Sequence, residues 1–292
     1  MDSEPPPSST PANAVLLAEW REEEGLFREG WDFSHLTGRL TEEDPPWDFD
    51  GACRAALASA AHVLDMGTGG GERLLSLADA LPQDTVATEG WEPNFSVAQA
   101  NLANLHIPVV RYDAAAEPAM ALPFRAGRFD LVLNRHEAFD ALEVFRVLKP
   151  GGIFLTQQVG GDDFAEAHDL FGAKAHYPEH TLDRVVEQLT EAGFRVDEAG
   201  AWKGTSRFHD VGALVYYFKL SPWDVPEDFC VDGYADVLLR LHAAGPGRGR
   251  PLSFTASRFW LRASKPRLNS CPGGSMRRKT SRRGFDWDKG HR

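Results

Sequence analysis

Long apolar runs are missing from this chain. No stretch of about eighteen apolar residues occurs, so no membrane-spanning helix is expected in its 292 residues. Cysteine is scarce: Cys53, Cys230 and Cys271 stand far apart and are odd in number. They form no metal-ligand spacing, and a reducing cytosol is the plain reading. The opening residues lack the basic start and apolar stretch of a secretory signal. There is no G-x-x-x-x-G-K-[ST] phosphate loop and no C-x-x-C zinc pair. Positive charge is also short. Lys and Arg number 31 against 43 Asp and Glu, a net charge of −12. The shortfall is uneven. From Arg267 to Arg292 eight basic residues face two acids, which leaves 23 basic and 41 acidic residues in the remainder. An acidic body is a poor binder of nucleic acid, because phosphate contacts supply most of that affinity. The basic tail is expected to be a disordered, solvated extension, with weak contact to something anionic as its other use.

What is present supports a sizeable core, since 42% of the residues are apolar. The chain suits one α/β domain with extra terminal segments, or a domain with a small companion. Its organising stretch is Val63-Leu64-Asp65-Met66-Gly67-Thr68-Gly69-Gly70-Gly71-Glu72. A short apolar strand ends there in an acid, turns through four glycines and enters an apolar-periodic segment (Leu74, Leu75, Leu77, Ala78, Leu81). Strand, glycine turn and helix let backbone approach a nucleotide-like ligand. A dinucleotide fingerprint starting at Gly67 needs glycine at position 72, where Glu72 stands. The acid at Asp65 would repel a pyrophosphate and suits a cationic ligand.

Taken in order, residues 1–12 read as disordered, and 13–50 as an N-terminal helix (Ala14 to about Arg28) with a lid-like segment. That segment carries Trp31, Phe33, Leu36, Pro45, Pro46 and Trp47 among acids. It lies either across the ligand mouth or along the outer sheet edge. Ala52 to Ala61 reads as a short helix. Residues 51–160 then alternate. Strands are expected at Thr85 to Thr88, Pro108 to Tyr112, Phe129 to Leu133 and Ile153 to Gln157. Helices are expected after Asn94, as a cap, and over Ala138 to Leu148, stopped by Lys149-Pro150-Gly151-Gly152. This rhythm implies a doubly wound, mostly parallel sheet in a three-layer αβα arrangement, with its strand C-termini on one ligand-binding edge. Residues 161–266 read as the C-terminal part of the same domain. They hold a helix at Leu182 to Leu189, a strand at Val211 to Leu220, a helix at Tyr234 to Leu241 and a strand at Leu252 to Leu261. Residues 267–292 are the basic tail.

The D-x-G-x-G-x-G stretch resembles the Rossmann-like (class I) S-adenosylmethionine-dependent methyltransferases. Leu122-Pro123-Phe124 before Phe129-Asp130-Leu131-Val132, and Val147 to Gly152 after it, resemble the small-molecule branch. The likeness covers about Ala61 to Gln158, and more loosely the late strands, which fit an antiparallel pair added to the sheet. Thr68 to Glu72, Ala87 to Trp91, Arg135-His136 and Gln157 to Gly160 also resemble segments of methyltransferase-domain proteins of the actinobacterial type. The resemblance implies S-adenosyl-L-methionine as cofactor. It gives Asp65, Gly67, Thr68, Gly69 and Gly71 to the methionine part, Glu89 to the ribose and Asp113 to the adenine, with Trp91 or Tyr112 stacking on the base. Glu92 is a rival for the ribose. Asn134 ends the fourth strand as a further cofactor contact, and Asn134, Arg135 and Glu137 are candidates to orient substrate. His136 is the candidate base for a small-molecule methyl acceptor. Gln157 and Gln158 are candidate amide contacts, and His209-Asp210 is a second acid/base pair. An Asn-Pro-Pro-Tyr-type tetrapeptide is missing where Asn134-Arg135-His136-Glu137 stands, which argues against methylation of base amines in DNA. Two other functions stay open: an NAD(P)-dependent oxidoreductase, and an inactive binding or interaction protein of the same fold. Oligomeric state is not legible.

Overall fold

The structure is a computed structural model that describes residues 10–26, 33–115 and 120–267. Most of the expected disordered N-terminus, the expected helix's Phe27 and Arg28, and the tail beyond Arg267 lie outside the described residues. The first helix, α1 (Pro11–Gly25), starts earlier than its apolar pattern suggests. Thr10 caps it by accepting from the Asn13 amide, and Pro11 needs no donor in the first turn. Residues 10–12 are therefore ordered, a correction to the expected disordered stretch.

The segment expected to be lid-like does two things. Strand β1 (Leu40–Glu42) pairs antiparallel on the outer sheet edge, so edge packing describes that part. Trp47, farther along, crosses to the strand ends. Helix α2 (Phe49–Leu57) follows, capped by Asp48, whose carboxylate accepts from the Gly51 amide.

Next come β2 (His62–Met66), α3 (Glu72–Ser76), β3 (Asp84–Glu89), α4 (Glu92–Leu102), β4 (Val109–Arg111), β5 (Phe129–Arg135), α5 (Ala141–Val147) and β6 (Leu148–Val159). Strands β2 to β6 run parallel in the order β6-β5-β2-β3-β4. The chain winds outward from β2, then returns to β5, which makes the β2/β5 junction a topological switch point, where such sheets bind ligands. Alternate residues of β5 serve opposite faces: Val132 joins a core with Val144 and Val185, while Leu131 and Leu133 join Phe49 and Leu57. Lys149-Pro150-Gly151-Gly152 does not separate helix from strand. Leu148 already pairs with Phe129, and these residues form a bulge before pairing resumes at Ile153.

The late region holds the main departure. Val211–Leu220, expected as a strand, is helix α8. Asp210 caps it, accepting from the Ala213 amide at 2.7 Å. The antiparallel partner is instead β7 (Arg195–Phe208), reached through α6 (Ala165–Phe171) and α7 (Leu182–Glu191). After α8 come α9 (Ala235–Ala244) and β8 (Leu252–Ser264), both close to expectation. The sheet closes as β1-β7-β8-β6, all antiparallel steps.

Strand β8 meets β6 only from Ser264 to Arg258, yet pairs with β7 all the way to Leu252–Phe208. The last turns of this ribbon project past the parallel strand ends. A separate core forms there. Phe164 stacks on Phe254 and Tyr217, with ring centroids 5.2 and 4.8 Å apart, and helices α1, α6, α8 and α9 pack around them. This helical cap borders the functional edge. Among the described residues no helix is long and apolar enough to cross a membrane.

Candidate functional site

The glycine loop lies between β2 and α3, and three of its residues need left-handed backbone: Gly67 (φ 71), Gly69 (φ 62) and Gly71 (φ 87). Side chains rarely adopt such values. The loop is tied to the end of β3. Gly67 N donates to Thr88 Oγ1, Thr68 N to the Thr88 carbonyl at 2.9 Å, and Gly69 N to Glu89 Oε2 at 2.7 Å. Space at Gly69 is open, with only Asn94 Nδ2 at 4.0 Å from where a Cβ would stand. Asn94 is thus a correction. It lies inside α4, buried beside the loop, and Trp91 holds the cap position.

Carboxylates collect around this loop. Burial pushes Asp65 up to about 6, against Thr68 and Arg73, which favour its charge. The Thr68 hydroxyl is buried without a well-formed hydrogen bond, although it lies near that carboxylate. Glu89 is buried and its pKa is raised by burial, while the amides of Trp91 and Gly69 hold it from either side. Asp113 stands two residues past β4, exposed, and accepts from the Ala115 amide. Gly90 makes this approach of strand ends feasible: a Cβ there would stand 2.6 Å from Asp113 Cα. Sequence reasoning passed over Gly90, although a glycine directly after a strand-end acid was the available signal. Glu137, a candidate in the sequence for orienting substrate, lies against Gly67, and burial with Glu89 and Asp113 nearby raises it to about 7.

The rival and stacking candidates separate. Glu92 pairs with Arg111 at the exposed outer edge. Tyr112 is buried in the core beside α5, its hydroxyl donating to the Met120 carbonyl, so it is not available for stacking. Trp91 stays 45% exposed beside Glu89.

At the ends of β5 and β6 a polar network forms. Asn134, buried, accepts from Thr156 Oγ1 at 2.7 Å and Gln158 Nε2 at 2.6 Å, while its own Nδ2 has no partner among the described residues. His136 has a left-handed backbone (φ 58) held by its amide donating to the Gln157 carbonyl at 2.8 Å. Burial, with Arg135, Arg258 and Arg73 near, drives its pKa well below the usual histidine value. Gln157 joins His136 Nε2 at 3.2 Å and accepts from the Trp47 indole at 2.8 Å. A hollow beneath the loop is lined by Phe49, Cys53, Asp65, Arg73, Asn134 and Arg135. Arg73, overlooked in the sequence, was visible as a cation at the start of an apolar-periodic segment. His209 and Asp210 are elsewhere: His209 meets Thr41, and Asp210 forks with Arg39 while capping α8. Among the described residues no cluster of His, Cys, Asp or Glu could hold a metal ion.

The strand order, the left-handed glycine loop and the acids at successive strand ends define a Rossmann-like methyltransferase fold. Residues 63–152 match the family described as a methyltransferase domain. The chain is similar to demethylmenaquinone methyltransferase of Lactiplantibacillus plantarum, 33% identical over 116 residues, or 37% of this chain and 48% of that protein. It is also similar to 23S rRNA (guanine(748)-N(1))-methyltransferase of Streptomyces fradiae, 30% identical over 148 residues, 47% of this chain and 48% of that one. The chain spans about half the length of these curated relatives. Among solved structures, the YcgJ protein of Bacillus subtilis superposes with a TM-score of 0.52 at 18% identity, covering 75% of this chain and 99% of that one. A functionally unknown protein of Deinococcus radiodurans R1 gives 0.50 at 16%, covering 88% and 100%. Both likenesses concern the fold.

Proposed function

We propose that this chain is an S-adenosylmethionine-dependent methyltransferase that serves a small-molecule acceptor. The observation that carries this reading is the left-handed glycine loop with Asp65, Glu89 and Glu137 around it. The residues fit the cofactor. Burial raises all three acids, so an arriving cation relieves a cost that the folded chain otherwise bears. A pyrophosphate would meet the same acids as repulsion, which disfavours a nicotinamide dinucleotide. The open space at Gly69 gives room for close approach.

When bound, the cofactor supplies a methyl group on a positively charged sulfur, already activated for in-line displacement. The residues' work is then orientation. Asp65 and Thr68 serve the methionine part, Glu89 the ribose, and Asp113 with Trp91 the adenine end. Asn134 Nδ2, a buried donor without a partner among the described residues, suits a ligand oxygen. His136 is neutral near pH 7, and its lowered pKa makes it a weak base, suited to an acceptor that gives up its proton easily. Gln157 fixes its backbone.

Calorimetry tests the reading. The full chain should bind S-adenosylhomocysteine at sub-millimolar concentration and ignore NADH. Gly69→Val and Asp65→Ala should each abolish that binding while circular dichroism stays unchanged. Binding of NADH alone would sink the proposal. Methyl transfer to any acceptor separates an enzyme from an inactive binding protein.

A further inference from the structure

Arg135 is the unmatched cation of the functional edge. It ends β5 with its side chain exposed in the cleft, and among the described residues it has no ion pair or hydrogen bond. Three acids near it are already engaged. Asp50 pairs with Arg73, while Glu42 meets Arg258 and the Ser206 hydroxyl. Asp163 is held by Arg258 and by the Ser257 amide at 2.6 Å. Asp65, which lines the same hollow, is drawn on by Thr68 and Arg73. A guanidinium without an ion pair of its own can take an anion, and its fork matches carboxylate and phosphate oxygens in pairs.

Aromatic rings flank Arg135 along the sheet: Gln157 is its register partner on β6, and Trp260 is that of Gln157 on β8. Trp47 and Trp260 lie 6.3 Å apart, and the Trp47 indole is fixed on Gln157, which also meets His136. The cation, the two tryptophans and the candidate base therefore all neighbour Gln157 or its register partner at the ends of β5 and β6.

We propose that the methyl acceptor is a small aromatic or planar anion whose carboxylate or phosphate is bound by Arg135. The inference rests on the methyltransferase reading, because it assigns the acceptor of that site. Arg135 grips the anionic group, and the ring lies along the Trp47 side near His136.

The test uses the full chain saturated with S-adenosylhomocysteine, titrated by calorimetry with benzoate, phenyl phosphate and neutral benzamide. At least one anion should bind roughly tenfold or more tighter than benzamide, and which one does so separates carboxylate from phosphate recognition. Arg135→Met should remove this preference while S-adenosylhomocysteine affinity stays within about twofold; Arg135→Lys should keep part of it, as a charge without the fork. Arg135→Gln is a second neutral variant should the methionine destabilise the chain. Anions that bind no better than benzamide, or a preference that survives in both neutral variants, overturn the proposal. So does loss of S-adenosylhomocysteine binding in them, which would assign Arg135 to the cofactor. If the native chain fails to bind S-adenosylhomocysteine at all, the methyltransferase reading falls, and the same titration on the unliganded chain still decides the role of Arg135.

Discussion

His136 holds a backbone conformation that few side chains tolerate, and its φ of 58 is fixed by the Gln157 carbonyl. A non-glycine residue in this region costs on the order of 1 kcal/mol, and such strain gathers at functional sites. The side chain must earn its place by something other than stability. His136→Gly or His136→Asn should therefore leave the melting temperature unchanged or raise it, while His136→Val should lower it by several degrees. A valine variant as stable as the native chain would contradict the strained geometry. Asp224 offers a second test. It is buried 3.6 Å from His168, and burial, with Asp163 nearby, pushes its pKa up to about 8. Burial lowers His168, so near pH 7 this contact joins two neutral groups and is not an ion pair. An acid with a raised folded pKa contributes stability that is complete below its unfolded value and is lost as pH rises through the folded one. Asp224→Asn should match the native chain near pH 4 and exceed its melting temperature by several degrees at pH 8.5. An equal difference at both pH values would show that the carboxyl does not titrate as stated. At this scale Asp65, Glu89 and Asp113 were legible because strand ends impose a shared edge. Tyr112 and Asn94 were not, since burial and the side of a helix depend on partners distant in sequence.

Two elements show where patterns of residues stop deciding. Val211–Leu220 is buried at nine of its ten positions, so neither helical nor alternating periodicity survives in it. The cue that does decide is Asp210, a cap residue directly before the run. Strand β7 was missed for the opposite reason. Most of Arg195–Phe208 is half-buried or exposed, and its stretch Glu198-Ala199-Gly200 lacks the β-branched residues that mark strands. Tertiary pairing along β8 makes it a strand. The cap is open to test. Asp210 accepts from the Ala213 amide and forks onto Arg39 at 2.6 and 2.9 Å. Burial alone would raise its pKa, but Arg39 and that amide outweigh it and leave a net lowering. A lowered acid stabilises above its unfolded pKa and stops doing so as pH falls through the folded one. Asp210→Ala should thus cost about 1–2 kcal/mol at pH 7, read from urea midpoints, and progressively less as pH falls below the ordinary carboxylate range. Asp210→Asn should retain most of the cap. A pH-independent loss in the alanine variant would point to packing.

The alternating first half of the chain made the parallel sheet readable as a whole, because each crossover obeys one handedness. Nothing in the sequence announced the helical cap, whose core draws on α1 at one end and β8 at the other. Composition treats such scattered residues as one pool; only the projecting β7–β8 ribbon shows that they form a second body. The joint between sheet and cap centres on Arg258, just 15% exposed in its side chain. It binds Asp163 of the loop after β6 and Glu42 of β1. Removing one partner of a buried pair leaves the other charged without compensation, which costs about 3–5 kcal/mol. Arg258→Met should lose stability on that scale in urea unfolding. The loss should change little with added salt, since buried pairs are weakly screened. Adding Asp163→Asn should restore more than half of it, because the orphaned charge goes and the Ser257 amide keeps an acceptor. A single-variant loss below about 1 kcal/mol would reduce the contact to an ordinary surface pair, and the cap would then be held to the sheet by its apolar core alone.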